Sequence, residues 1–276
     1  MLRLTLSLIF ITLLPGCSNM FFIPMKKLVR TPADIGLEYR DIEFESSDGM
    51  PLHGWLLPAE GDAKGSVLFL HGNAENISTH IGSVFWLPSE GYNVFLFDYR
   101  GYGKSRGAAE LHGIIRDAEA AITQLTRLPE TQNTPLIVYG QSVGAAISSY
   151  AVAHSKHRSH IDALIVESSF SSYRLIAREK LGDFWLTWPL QYPLSWTVSD
   201  RYKPIDAIPL ITPIPLLFVY SEEDYIVPPH HGELLFEAAN EPKQLWRVPN
   251  GRHISVFSRP EERQRLLDYL DSIVSQ

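Results

Sequence analysis

Short apolar runs recur along this chain: Val67-Leu68-Phe69-Leu70, Val94 to Phe97, Leu136 to Tyr139, Ala163 to Val166 and Ile214 to Tyr220. Each is bounded by polar, Gly or Pro residues. A run of this length without polar alternation fits a strand covered on both faces. Between the runs lie patterns of helical period, over Ile114 to Leu128, Val143 to Ala153, Leu234 to Ala239 and Glu261 to Val274. Alternation of the two predicts an α/β fold: a mostly parallel central sheet with helices on both faces. Upstream, Tyr39 to Glu45 alternates, Ser47-Asp48-Gly49 supplies a tight turn and Leu52 to Leu57 follows, so the sheet should open with an antiparallel hairpin. A chain of 276 residues suits one such domain.

The alternation breaks between residues 169 and 212, where Phe184, Trp185, Trp188, Tyr192 and Trp196 are concentrated. A small helical cap is expected there. The near-helical spacing of its aromatics fits either a packing face against the main domain or a surface toward substrate.

The run Leu136 to Tyr139 leads into Gly140-Gln141-Ser142-Val143-Gly144 and then a small-residue helix. G-x-S-x-G alone arises by chance in roughly one chain in ten of this length. Placed between a strand and a helix it is far more specific, because the sharp turn exposes the serine hydroxyl and leaves no room for side chains at the flanking glycines. Ser142 is then a candidate nucleophile, and the Val143 N–H lies near a helix N-terminus, aimed at an oxyanion. A serine hydroxyl needs a base, and the base a carboxylate to orient it. Downstream, Asp224-Tyr225-Ile226-Val227-Pro228 follows one strand and Gly251-Arg252-His253 follows the apolar segment Leu245 to Val248, giving the chain order Ser, Asp, His.

These features resemble the α/β-hydrolase superfamily over residues 37–276, in its esterase, thioesterase and aminopeptidase-like branch. The D-x-x-V-P of Asp224, Val227 and Pro228 matches the segment of the triad acid, and G-x-H matches that of the histidine, with Arg252 bulkier than the usual residue. Leu70-His71-Gly72-Asn73 resembles the family's H-G-x segment, which implies Asn73 as a second backbone oxyanion donor beside Val143, with His71 structural. Asp98-Tyr99-Arg100-Gly101-Tyr102-Gly103-Lys104-Ser105 resembles its D-x-R-G-x-G-x-S loop at the active-site floor. The resemblance implies a serine hydrolase with triad Ser142, Asp224 and His253, cleaving a small carboxylic ester or thioester through an acyl-enzyme, with no cofactor or metal. An aminopeptidase or amidase is the second enzymatic reading. A non-catalytic envelope lipoprotein that binds through the same fold is the reading from a different class.

Other patterns are weaker. Gly103-Lys104-Ser105 ends like a phosphate-binding loop, but its first glycine position is Asp98, whose charge opposes phosphate. His154, His157 and His160 are spaced by three but sit beside Lys156 and Arg158 at a helix end, which fits a solvated, dipole-compensating terminus. His230 and His231 are expected to open the helix after Pro228-Pro229, in a surface role. Glu222, Glu223 and Glu167 rival Asp224 as the acid, without the Val-Pro pair. The 24 Lys and Arg are scattered and outnumbered by 31 Asp and Glu, which argues against nucleic acid as a partner.

The start of the chain has a separate logic. Arg3, an apolar run from Leu4 to Leu14, then Pro15-Gly16-Cys17 follow the order of a secretory signal over residues 1–16, and residues 17–36 read as a connector. Leu14-Pro15-Gly16-Cys17 resembles the lipobox of bacterial lipoproteins, apart from Pro15. The resemblance implies a diacylated Cys17 that tethers the domain to a membrane surface, and Ser18 points to the outer membrane of the cell envelope. Cys17 is the single cysteine, so no intramolecular disulfide is possible.

Overall fold

The computed structural model describes residues 21–275; the signal, Cys17 and Ser18 lie outside that range. The main sheet has eight strands: β1 (Arg40–Glu45), β2 (Pro51–Leu57), β3 (Gly65–Leu70), β4 (Tyr92–Asp98), β5 (Leu136–Gln141), β6 (Ala163–Glu167), β7 (Leu216–Ser221) and β8 (Lys243–Val248). Their spatial order is β8-β7-β6-β5-β3-β4-β2-β1. β2 runs antiparallel to both β1 and β4, and every other pairing is parallel. The β1–β2 turn closes through Gly49 at φ 77°, a left-handed conformation in which a side chain is strained. β7 begins at Leu216, two residues later than the apolar run, because Pro213 and Pro215 have no N–H to give a ladder.

Five principal helices cover the sheet: α1 (Leu111–Leu125), α2 (Val143–His154), α3 (Tyr173–Gly182), α4 (His230–Ala238) and α5 (Pro260–Val274). Ile114 of α1, Ile147 of α2 and Leu235 of α4 bury themselves in one apolar layer. Leu266 and Leu270 of α5 lie in the layer on the other face, with Ile77 and Trp86 from the β3–β4 connection. α1 ends three residues short of Leu128, because Leu128 precedes Pro129 and is extended at ψ 132°, outside the helical region.

The stretch read as a connector is held against the domain. Ile23–Pro24 pairs with Ala74–Glu75, Phe22 is buried, and Phe21 packs edge-on to Tyr173 and against Phe170. After β6 the chain enters α3, then the short helices Trp188–Leu190 and Gln191–Ser195, before Pro204–Ala207 returns to the body of the domain, where Ala207 is buried. Most of the aromatic cluster faces away from the domain: Trp185, Trp188 and Trp196 are each more than 60% exposed.

Candidate active site

All the parallel strands point their carboxyl ends at one rim, where ligands gather in such sheets. β5 ends on Gln141, and Ser142 turns the chain into α2 at φ 56°, ψ −122°. For a residue with a side chain this is a strained conformation, held by the Ser142 N–H donating to the Glu167 carbonyl at 2.8 Å. The flanking glycines are required by close approach. A Cβ on Gly144 would sit 2.2 Å from the Leu70 carbonyl oxygen and 2.4 Å from that of His71; one on Gly140 would meet Ala145 Cα at 2.5 Å. The elbow is thus pressed onto the end of β3, where His71-Gly72-Asn73 begins.

The structure brings Ser142, His253 and Asp224 together across 111 and 29 residues of chain. The Ser142 hydroxyl lies 2.9 Å from His253 Nε2, and His253 Nδ1 lies 2.7 Å from Asp224 Oδ2. Asp224 is buried, and its other oxygen accepts N–H groups from Ile226 and Val227, each at 2.9 Å. Burial raises its pKa, but the hydrogen bond and charge of His253 and these N–H donors outweigh it, so the carboxyl titrates below its ordinary value and stays ionised near neutrality. With the carboxylate taking the Nδ1 proton, the ring's lone pair is on Nε2, toward the serine. The loop bearing His253 is strained as well: Asn250 and the β-branched Ile254 both have positive φ, at 55° and 50°.

Ser142, Val143, Gly72, Asn73 and His253 line one cavity of about 420 Å³. Its remaining wall is mainly apolar, from Phe21, Phe170, Ile176, Ile226, Val227 and Ile254. A second, more enclosed apolar space of about 270 Å³ adjoins it, sharing Phe21, Ile176 and Lys180 and reaching under the cap to Leu181, Leu194 and Val198. A larger depression, about 820 Å³, lies at Pro135, Asp162, Pro215 and Pro242, the amino ends of β5 to β8, away from this chemistry.

The D-x-R-G loop fixes the wall beneath. Tyr99 donates to the His71 carbonyl at 3.0 Å and Tyr102 to that of Asn73, so two aromatic hydroxyls position the H-G-x segment. Arg100, buried, ties the loop to the hairpin at Asp48, 2.9 Å, and to α1 at Asp117, 2.7 Å. Asp98 receives the Ile77 N–H at 3.0 Å, and its burial pushes its pKa up to about 7. In the same loop Lys104 pairs with Asp41 and the Ser105 hydroxyl donates to the Asp98 carbonyl, so neither faces a phosphate site.

The rival acids lie elsewhere. Glu222 and Glu223 are exposed. Glu167 is fully buried and accepts from Tyr139 and from Gln141 Nε2, which braces the strand ends beside the elbow; burial raises its pKa. Arg252 is exposed and outside the cavity lining, so it neither crowds the serine nor meets a substrate there. His71 is buried and donates from Nδ1 to the Gly72 carbonyl at 2.8 Å.

The surface role expected for His231 is corrected: its side chain is fully buried. Gly232 allows this, since a Cβ there would lie 2.4 Å from the Tyr220 ring. His231 Nδ1 accepts the Ser171 N–H at 3.2 Å, so its proton is on Nε2 and is given to Glu179 Oε2 at 3.0 Å. Among the described residues, Glu179, His230 and His231 form the one group of three potential ligands within 4.8 Å. The tautomer of His231 turns a proton rather than a lone pair toward the middle of it.

Sequence reasoning missed Phe21, Ile176 and His80 as cavity residues. Phe21 lies in the connector and Ile176 in the cap, and nothing local in either segment marks a wall.

A family model described as serine aminopeptidase, S33, matches residues 61–208, more than half of the chain. The chain belongs to this α/β-hydrolase family. It is 33% identical over 264 residues to the uncharacterized protein YfhR of Escherichia coli strain K12, covering 93% of this chain and 88% of that one. It is 33% identical over 262 residues to the alpha/beta hydrolase domain-containing protein WAV2 of Arabidopsis thaliana, covering 91% and 81%. Among solved structures, the Pyrococcus furiosus esterase Pf2001 superposes with a TM-score of 0.72 at 23% identity, over 91% of this chain and 96% of that one; this likeness speaks to the fold. The chain is therefore a hydrolase of the α/β-hydrolase type.

Proposed function

We propose that this hydrolase cleaves carboxylic ester or thioester bonds through an acyl-enzyme on Ser142. The observation behind this reading is the relay from Ser142 Oγ to His253 Nε2 at 2.9 Å and from His253 Nδ1 to Asp224 at 2.7 Å, opening on a cavity with mainly apolar walls. Ser142 Oγ attacks the carbonyl carbon as His253 takes its proton, and the charge on the carbonyl oxygen falls to the backbone N–H groups of Asn73 and Val143. His253 then gives the proton to the leaving alcohol or thiol. Water, deprotonated by the same ring, attacks the acyl carbonyl; as that intermediate collapses, Ser142 Oγ leaves, takes the proton back from His253, and the acid is freed. Every proton and electron pair in this cycle is handled by the triad and the two amides.

The apolar wall favours an acyl group without charge. Glu75 at the rim is the observation behind a second reading, an aminopeptidase, since a carboxylate there would hold a substrate ammonium. A fluorophosphonate probe should label Ser142, and a panel of short acyl esters, thioesters and amino-acid amides should show turnover of the first two, abolished by Ser142→Ala with the circular dichroism spectrum intact. A protein that takes no label while Ser142 is accessible would favour the non-catalytic binding role. Preferential turnover of the amides would favour the aminopeptidase.

For location, we propose the cell envelope, with a lipidated Cys17 holding the domain at the outer membrane. The mature mass should lack the first sixteen residues and include added lipid; an intact Met1 would overturn this.

A further inference from the structure

Residues 184–199 contain no Asp, Glu, Lys or Arg, in a chain where one residue in five is charged. This stretch presents Trp185, Trp188 and Trp196 to the outside, at 77%, 61% and 68% exposure, with Leu186 and Leu190 between them and Tyr225 and Ile226 exposed nearby on the loop of the triad acid. Large apolar side chains exposed in such number along one short segment mark a binding face rather than a solvated one.

Four polar side chains within it already donate to the cap's own backbone. Thr187 donates to the Leu181 carbonyl at 2.6 Å, Gln191 to that of Trp188 at 3.1 Å, Ser195 to that of Tyr192 at 3.0 Å and Thr197 to that of Leu194 at 2.7 Å. Removing water from this face leaves these donors paired, which keeps its dehydration inexpensive. Tryptophan and tyrosine are the residues favoured where an apolar medium meets water.

The chain itself says what apolar medium is near. Phe21 lines both the Ser142 cavity and the space under the cap, and only six residues separate it from the apolar run Leu4 to Leu14. The seven residue-to-residue steps from Leu14 to Phe21 span at most about 25 Å. With the proposed envelope location, a bilayer that holds that run, or a lipid on Cys17, therefore lies within about 25 Å of Phe21, in the wall of the cavity and of the space under the cap. No helix among the described residues is long and apolar enough to cross a membrane.

We infer that the aromatic face of the cap docks on a lipid bilayer and sets the mouth of the Ser142 cavity against it. Acyl chains then enter from the membrane side, past Phe21 and Ile176 into the space beneath Leu194. The route for acyl chains rests on the ester reading; the docking does not.

The test is tryptophan fluorescence of the full chain on vesicles of phosphatidylethanolamine and phosphatidylglycerol with brominated acyl chains. Trp55, Trp86 and Trp246 are buried, so three of the six tryptophans report the cap. We expect brominated lipid to quench the cap's share of the emission, iodide to lose access to it, and Trp185→Phe with Trp188→Phe and Trp196→Phe to remove the quenched component. Three results would overturn the inference. The protein does not bind the vesicles; it binds with the cap tryptophans unquenched and open to iodide; or iodide protection appears only as the protein dimerises without lipid, so that a second copy covers the face. Ser142→Ala should be quenched like the wild type, so loss of ester turnover and loss of docking are read separately.

Discussion

The molecule contains two assemblies of serine, histidine and carboxylate, and only one is arranged to activate its hydroxyl. Ser142 Oγ lies 2.9 Å from His253 Nε2, and Ser171 Oγ lies 2.9 Å from His231 Nδ1. Each ring also meets a carboxylate, Asp224 at 2.7 Å and Glu179 at 3.0 Å. The difference is which nitrogen the carboxylate takes and what else holds the ring. At His253 the lone pair is free for one hydroxyl beside a cavity. At His231 the backbone N–H of Ser171 also claims the lone pair, and the serine is buried away from the cavity lining. The first arrangement can hand a proton back and forth. The second fastens α3, through Glu179, to the start of α4, and so holds the cap beside the loop that carries Asp224.

The strongest way to break this comparison is to remove both carboxylate charges in turn. Asp224→Asn should lower kcat on a soluble fluorogenic ester by about 10⁴-fold, since the wrong tautomer of His253 is then favoured. Glu179→Gln and Ser171→Ala should leave it within about threefold. Steady-state kinetics of the three variants decides the matter, and comparable losses would mean the second assembly takes part in the chemistry.

A smaller effect sharpens the comparison through pH. Burial, with the neighbouring His230 adding to it and Glu179 opposing, pushes the pKa of His231 down to about 4, from an ordinary 6.5. Between those values the unfolded chain binds a proton that the folded form does not, so stability is intact above pH 6.5 and declines as pH falls toward 4. The shift corresponds to on the order of 3 kcal/mol. Urea denaturation at pH 7.5 and at pH 5 should show about 2 kcal/mol of this loss in the wild type and much less of it in His231→Gln. An unchanged pH dependence in that variant would place the acid-sensitive group elsewhere.

Much of the site was legible because its residues are punctuated by backbone geometry. Gly140 and Gly144 mark a turn with no room for a Cβ, and the Val-Pro pair after Asp224 marks a loop whose N–H groups are turned back on the carboxylate. The layered α/β architecture follows from the apolar runs for a similar reason: a strand dry on both faces has to be apolar throughout. His231 was misread because burial of a histidine depends on a partner, and Glu179 is more than fifty residues away on another element. Phe21 was missed because an aromatic residue in a connector has no local signal of what it will cover.

The sequence alone determined the strand and helix alternation, the elbow at Ser142 and the order of the groups that follow it, because each is set by sterics or apolar patterning within a few residues. Only the tertiary structure decided which histidine nitrogen stays free, which carboxylate is buried with a cation or left in water, and that the connector and cap close over the serine. Those depend on distances between segments far apart in the chain, which local chemistry does not encode one residue at a time.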